Sequence, residues 1–131
     1  MIVVDTNVLA YLYLPGIFTA AAEQLLLEQP AWAAPRLWRS EFRNILAGYV
    51  RRGILSFDEA CAVQREAEVL LAGAEYDVNS PRVLQLVRNS DCSAYDCEFV
   101  ALAQQLNVRL YTMDKKVLRA FPGDALPLPG G

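Results

Sequence analysis

Four acids, Asp5, Glu41, Asp96 and Asp114, occupy positions that an ordinary solvated charge does not explain. Asp5 ends the β-branched run Ile2-Val3-Val4, and Asp114 follows the strand-like segment 108–112. Glu41 lies four residues after Leu37 and four before Ile45, so on a helix its carboxylate is in line with apolar side chains. Asp96 shares a helical face with Phe99, Val100 and Ala103. If these carboxylates converge, like charges at roughly 4 Å repel by about 4 kcal/mol at an effective dielectric near 20. The cluster then needs a divalent cation or shared protons. Oxygen ligands alone select hard ions such as Mg²⁺ or Mn²⁺, which act mainly on phosphate substrates. Each acid also has a structural explanation. Asp5 and Asp114 suit helix N-caps, Asp96 suits a cap with Ser93, and Glu41 suits a pair with Arg39 or Arg43.

The elements that must position these acids alternate along the chain. Residues 1–4, 31–35, 75–78, 108–112 and 125–128 read as short strands separated by helical sequence, which predicts an α/β fold with a mostly parallel sheet of four or five strands. In such a sheet Asp5 and Asp114 leave C-terminal strand ends, where ligands bind, while Glu41 and Asp96 sit early in helices that follow strands. Between residues 36 and 52, Leu37, Trp38, Phe42, Ile45, Leu46 and Tyr49 recur at helical spacing. Ser56 with Glu59 makes a capping box for a second long helix reaching about Gly73, Ser80-Pro81 opens a third, and Ser93 with Asp96 opens a fourth. A short helix is expected over 115–121, with Thr112 placed to orient Asp114. The proline-rich segment 122–131 is expected to be extended and to fray.

Composition narrows the chemistry further. With 131 residues, the chain is sized for a single domain, 1–131. It has no histidine, which removes the commonest general base and all histidine-based metal sites. Fifteen acids against twelve bases give a net charge of −3, so no global positive field attracts phosphate backbones. Cys61, Cys92 and Cys97 form no C-x-x-C pair and read as reduced, buried thiols. The apolar stretch 8–22 is broken at Pro15-Gly16 and Asp5 stands where a secretion signal carries positive charge, so a soluble cytoplasmic protein without a membrane segment is expected. Asp58, Glu59, Glu66, Glu68, Glu75 and Asp77 fall close together in sequence, opposed only by Arg65, and read as a solvated face.

The runs Val4-Asp5-Thr6-Asn7-Val8-Leu9, Trp38 through Leu46 with Glu41 at its centre, Ser93-Ala94-Tyr95-Asp96 through Ala103, and Tyr111-Thr112-Met113-Asp114 together resemble the PIN-domain nucleases, and more narrowly VapC-type toxins of toxin-antitoxin pairs. The resemblance covers nearly the whole chain in the family's order. It implies a three-layer PIN-like fold and a Mg²⁺- or Mn²⁺-dependent endoribonuclease, restrained by a cognate antitoxin and usually homodimeric. Asp5, Glu41, Asp96 and Asp114 match the family's acidic metal-site positions, and Asn7 and Thr112 its supporting polar positions. Asp91 and Glu98 have no secure counterpart and are read as surface or structural. Arg36, Arg39 and Arg43, spaced i, i+3, i+7 on one helix face, are expected either to track an RNA backbone or to serve solubility and partner contact. Two further readings stand beside the toxin: an RNA-processing nuclease on the same fold, and a non-catalytic or receiver-like α/β module. The receiver fits poorly, since it wants paired acids near the first strand and a lysine at a late strand end.

Overall fold

The computed structural model describes residues 1–130. Five strands, β1 (Ile2–Val4), β2 (Trp32–Pro35), β3 (Glu75–Tyr76), β4 (Leu110–Tyr111) and β5 (Ala125–Leu126), form one sheet in the order β3-β2-β1-β4-β5. Every neighbouring pair is parallel, with Val3 opposite both Ala33 of β2 and Leu110 of β4. Parallel strands need crossovers, and seven helices supply them: α1 (Thr6–Tyr13), α2 (Thr19–Glu28), α3 (Trp38–Arg51), α4 (Phe57–Leu70), α5 (Ser80–Arg88), α6 (Ala94–Leu106) and α7 (Lys115–Ala120). The chain winds one way from β1 to β3 and the other way from β4 to β5. Right-handed crossovers therefore place α1–α4 on one face and α5–α7 on the other, giving three α/β/α layers. The core lies on both faces of β1, where Val3 and Val4 are fully buried with Trp38 and Phe42 of α3 and Val100 and Leu102 of α6.

The reversal in strand order falls between β1 and β4, where connections leave in opposite directions and open a crevice at the C-terminal strand ends. Asp5 and Asp114 are the residues that emerge there. The expected elements occur with shorter boundaries, while two helices escaped the sequence reading. The apolar stretch 8–22 is α1 and α2, divided at Leu14 to Phe18, where Thr19 holds the turn by donating to the Tyr11 carbonyl at 2.7 Å and accepting from Gly16 N–H at 3.0 Å. The expected fraying of the last segment is also corrected: β5 pairs with β4 and Leu128 is buried, so this segment is docked at least to Leu128. Gly131 lies outside the described residues. All three cysteines are free, Cys92 and Cys97 buried and Cys61 half-buried. Among the described residues no helix is long and apolar enough to cross a membrane.

Candidate active site

The crevice is a cleft of about 260 Å³ whose lining includes Asp5, Glu41, Asp96 and Asp114, together with Asn7, Asn44 and Thr112 and no basic side chain. Four different elements deliver the four acids. Asp5 is the N-cap of α1, with Val8 N–H donating to Oδ1 at 3.0 Å. Asp114 caps α7, its Oδ1 accepting from Lys116 and Val117 N–H at 2.8 and 3.2 Å. The capping and site readings of these two acids are therefore compatible, because a cap occupies one carboxylate oxygen and leaves lone pairs for the cleft.

Thr112 joins the two strand ends. Its hydroxyl, 1 % exposed, donates to Asp5 Oδ2 and accepts from Asp114 N–H at 3.0 Å. It thus orients the Asp5 carboxylate, whereas the sequence assigned it to Asp114. Glu41 makes no pair with Arg39 or Arg43; Thr6 Oγ1 donates to its Oε1 at 2.7 Å. Thr6 is the residue that sequence reasoning missed as a partner, although its position beside Asp5 at the start of α1 was visible. Asn44, one helical turn after Glu41, was also missed, and the i, i+3 spacing would have found it. At α6 the cap is made by Ser93, whose hydroxyl accepts from Asp96 N–H at 3.0 Å, and among the described residues the Asp96 carboxylate makes no hydrogen bond of its own.

The electrostatics match a site lacking cations. Burial pushes the Asp5 carboxyl up from 3.8 to about 6, against the lowering effect of the Thr112 and Val8 bonds, and the charges of Asp114 and Glu41 push in the same direction as burial. Burial also raises Glu41, opposed by Thr6 and aided by Asp96. Glu98 is half-buried, and burial with the Glu41 charge holds it above the usual range, so it is no free surface acid. Asp91 is exposed and lies in a different hollow with Lys116 and Arg119.

Among the described residues no three acidic, cysteine or histidine side chains close on a common point at metal-ligand range. The chemistry of the donor set nonetheless fits Mg²⁺ or Mn²⁺: every candidate ligand is oxygen, the negative charge is uncompensated, and the cleft has room for bound water. A cation that keeps several waters and takes one or two carboxylates needs no closed protein cage.

The basic stripe is corrected. Arg36 lies just before α3 and pairs with Asp77 at 3.0 Å, both side chains being exposed. Arg39 grips Glu75 of β3 through two bonds, Nε to Oε2 at 2.6 Å and Nη2 to Oε1 at 2.7 Å, and reaches Glu68 of α4 at 3.2 Å. Trp38 Nε1 donates to the same Glu75 at 2.8 Å. The neighbouring acids therefore neutralise these arginines. Among the described residues Arg43 makes no ion pair, and it lines a groove between α3 and α4, away from the cleft.

Comparison with known proteins bears on the family and the fold. The family model described as PIN domain matches residues 2–122. Ribonuclease VapC3 of Pyrobaculum aerophilum is 27% identical over 129 residues, covering 96% of this chain and 98% of that protein. A toxin-antitoxin complex from Klebsiella pneumoniae contains a chain that superposes with TM-score 0.69 at 21% identity, covering 96% of each chain. VapC20 of Mycobacterium tuberculosis, described as a sarcin-ricin loop cleaving toxin, superposes with TM-score 0.68 at 20% identity over 92% of this chain and 95% of its own.

Proposed function

The chain belongs to the PIN domain family, and from that premise we propose that it is a divalent-metal-dependent endoribonuclease acting as the toxin of a toxin-antitoxin pair. The observation that carries the reading is the convergence of Asp5, Glu41, Asp96 and Asp114 on one cleft with no basic side chain in its wall. The toxin role is supported by the similarity to Ribonuclease VapC3 and by the fold shared with chains of toxin-antitoxin complexes. The partners are an RNA substrate, a cognate antitoxin protein and a second copy of the chain.

Asp5, Asp96 and Asp114 would hold Mg²⁺ or Mn²⁺, which when bound supplies Lewis-acid polarisation of the phosphodiester and lowers the pKa of the attacking water. The remaining steps fall to the chain's own groups. Thr112 holds the Asp5 carboxylate at Oδ2, and Val8 N–H holds it at Oδ1. Glu41, steadied at Oε1 by Thr6, positions the water and takes its proton at Oε2. Its carboxyl, raised by burial, is a stronger base than a solvated glutamate. In-line attack of the water oxygen then forms the new P–O bond as the P–O3′ bond breaks, leaving a 5′-phosphate and a 3′-hydroxyl that takes its proton from solvent. The test is cleavage of a mixed RNA pool by purified protein with Mg²⁺, Mn²⁺ or EDTA, beside an Asp96→Asn variant checked for folding. Metal-dependent 5′-phosphate ends that vanish in the variant are expected; full activity in EDTA or in the variant rejects the assignment. Expression without the cognate antitoxin should arrest growth, and normal growth would favour an RNA-processing role.

A further inference from the structure

A second cavity abuts the acidic cleft. It is a hollow of about 380 Å³ between the α1–α2 turn and α3, walled by Tyr11, Phe18 and Tyr49, and it shares Asn7 and Ile45 with the cleft. We propose that this hollow seats one nucleobase of single-stranded RNA beside the phosphodiester at the carboxylates. The proposal rests on the nuclease reading and names how the substrate is held.

Positive charge is scarce at the cleft itself. Among the described residues its lining is acidic with no basic side chain, and Arg36 and Arg39 are paired with Asp77 and Glu75, while Arg43, Lys116 and Arg119 line other hollows. Phosphate contacts alone are a poor source of affinity here. Stacking on aromatic rings is the sequence-tolerant alternative that proteins use for single strands. The hollow has the parts for it. Tyr11 and Phe18 pack with centroids 4.9 Å apart, and Thr19 bonds back to the Tyr11 carbonyl and the turn, so this wall is formed without a ligand. On the opposite wall stands Tyr49, whose ring holds the Arg52 guanidinium 4.8 Å from its centroid, with Arg52 itself outside the lining. Ile17, 90% exposed, stands at the rim, an apolar side chain with no folding reason to be there. At the junction Asn7 is exposed, and its side-chain amide makes no hydrogen bond among the described residues, leaving donors and an acceptor for a base edge. A cavity that shares Asn7 and Ile45 with the cleft, aromatic on its walls and polar where the two meet, fits a nucleotide flanking the scissile bond.

The experiment measures kcat and KM with Mn²⁺ on a short single-stranded RNA having one cleavage position, and on the same RNA with an abasic ribose at each flanking position in turn. Wild-type protein is compared with Tyr49→Leu, Ile17→Ser and Arg52→Gln. Loss of one particular base should lower kcat/KM about tenfold, chiefly through KM, as expected for one stacked base. Tyr49→Leu should lose a similar factor on intact RNA and show almost no further loss on the abasic RNA. Ile17→Ser and Arg52→Gln should shrink the abasic penalty by smaller factors; because Ile17 and Arg52 are exposed, these variants keep the test informative if Tyr49→Leu does not fold. An abasic penalty equally large in all variants, or absent at every flanking position, overturns the subsite while leaving the nuclease intact. Wild-type protein that cleaves no RNA overturns the nuclease reading itself.

Discussion

Two groups of carboxylates lie on opposite sides of α3 in their chemistry. Glu68, Glu75 and Asp77 are each bonded to an arginine, and the Arg39 bonds hold the Glu75 carboxyl below the usual carboxylate range. Asp5 and Glu41 have only neutral donors, Thr112, Thr6 and a backbone N–H, and both are raised by burial. The first group is complete as it stands and ties α3, α4 and β3 together. The second is complete only with a cation or with added protons. Acidic density by itself therefore does not mark a site; what marks it is acid that the fold has buried without giving it a cation.

The largest effect that tests this contrast is on activity. Asp96→Asn should reduce RNA cleavage by more than about 100-fold, beyond the loss typical of outer-shell partners, with the thermal midpoint unchanged or raised. Glu75→Gln should do the reverse, lowering the midpoint with cleavage preserved. Loss of activity in both, with folding intact, would erase the distinction between the groups.

The next effect is the pH dependence of the metal-free protein. Asp5 binds its proton more tightly folded, at about 6, than unfolded, at 3.8, so its stabilising contribution is full below 3.8 and lost as pH rises through 6. Acidification in EDTA from pH 7 to about 4.5 should therefore raise stability, by roughly 2 kcal/mol from Asp5. Glu75 acts oppositely, its contribution being present above its unfolded value and lost as pH falls through the lowered folded one. A thermal midpoint that falls steadily between pH 7 and 5 in EDTA would contradict the first half. In Asp5→Asn the rise should flatten.

A smaller effect separates Arg39 from the RNA path. Arg39→Ala leaves Glu75, with its side chain 9% exposed, held only by Trp38, and should lower the thermal midpoint by a few degrees while the salt dependence of RNA binding stays unchanged. A flattened salt dependence would return Arg39 to the substrate. The smallest effect concerns two helix starts with similar sequences. Ser56→Ala opens the reciprocal cap by removing the bond in which Ser56 Oγ accepts from Glu59 N–H at 3.1 Å, and should cost about 1 kcal/mol with cleavage unchanged. Ser93→Ala should cost a similar stability and also reduce cleavage, because the turn it caps carries Asp96. Equal cleavage in the two variants would show that this turn needs no cap to place its acid.

Much of the fold was legible because its signals are local. Ile2-Val3-Val4 before Asp5, the helical spacing from Leu37 to Tyr49, and Ser56 with Glu59 each declare an element within a few residues. The α1–α2 pair was missed because Pro15-Gly16 was read as interrupting an apolar run, when it divides two helices. Among the acids, Glu41 was readable from its apolar neighbours one turn away on either side. Asp96 was not resolved by its own surroundings, since Ser93 three residues earlier offered it a cap exactly as Ser56 does for Glu59; the structure leaves its shorter carboxylate out of that cap.

By itself the sequence determined that this is an α/β chain with acids at strand ends and early in helices, and that any chemistry runs without histidine. Those properties depend on residue type and on spacings of two to four residues. Only the tertiary structure decided which charges meet. Arg39 finds Glu75 at a separation of 36 residues, Thr6 finds Glu41 at 35, and Thr112 finds Asp5 at 107. Helical periodicity fixes the face a side chain occupies, but the strand order that sets β1 beside β4 and β3 at the edge fixes the partner it faces. That pairing is a property of the packed sheet, in which burial makes every unmatched charge costly.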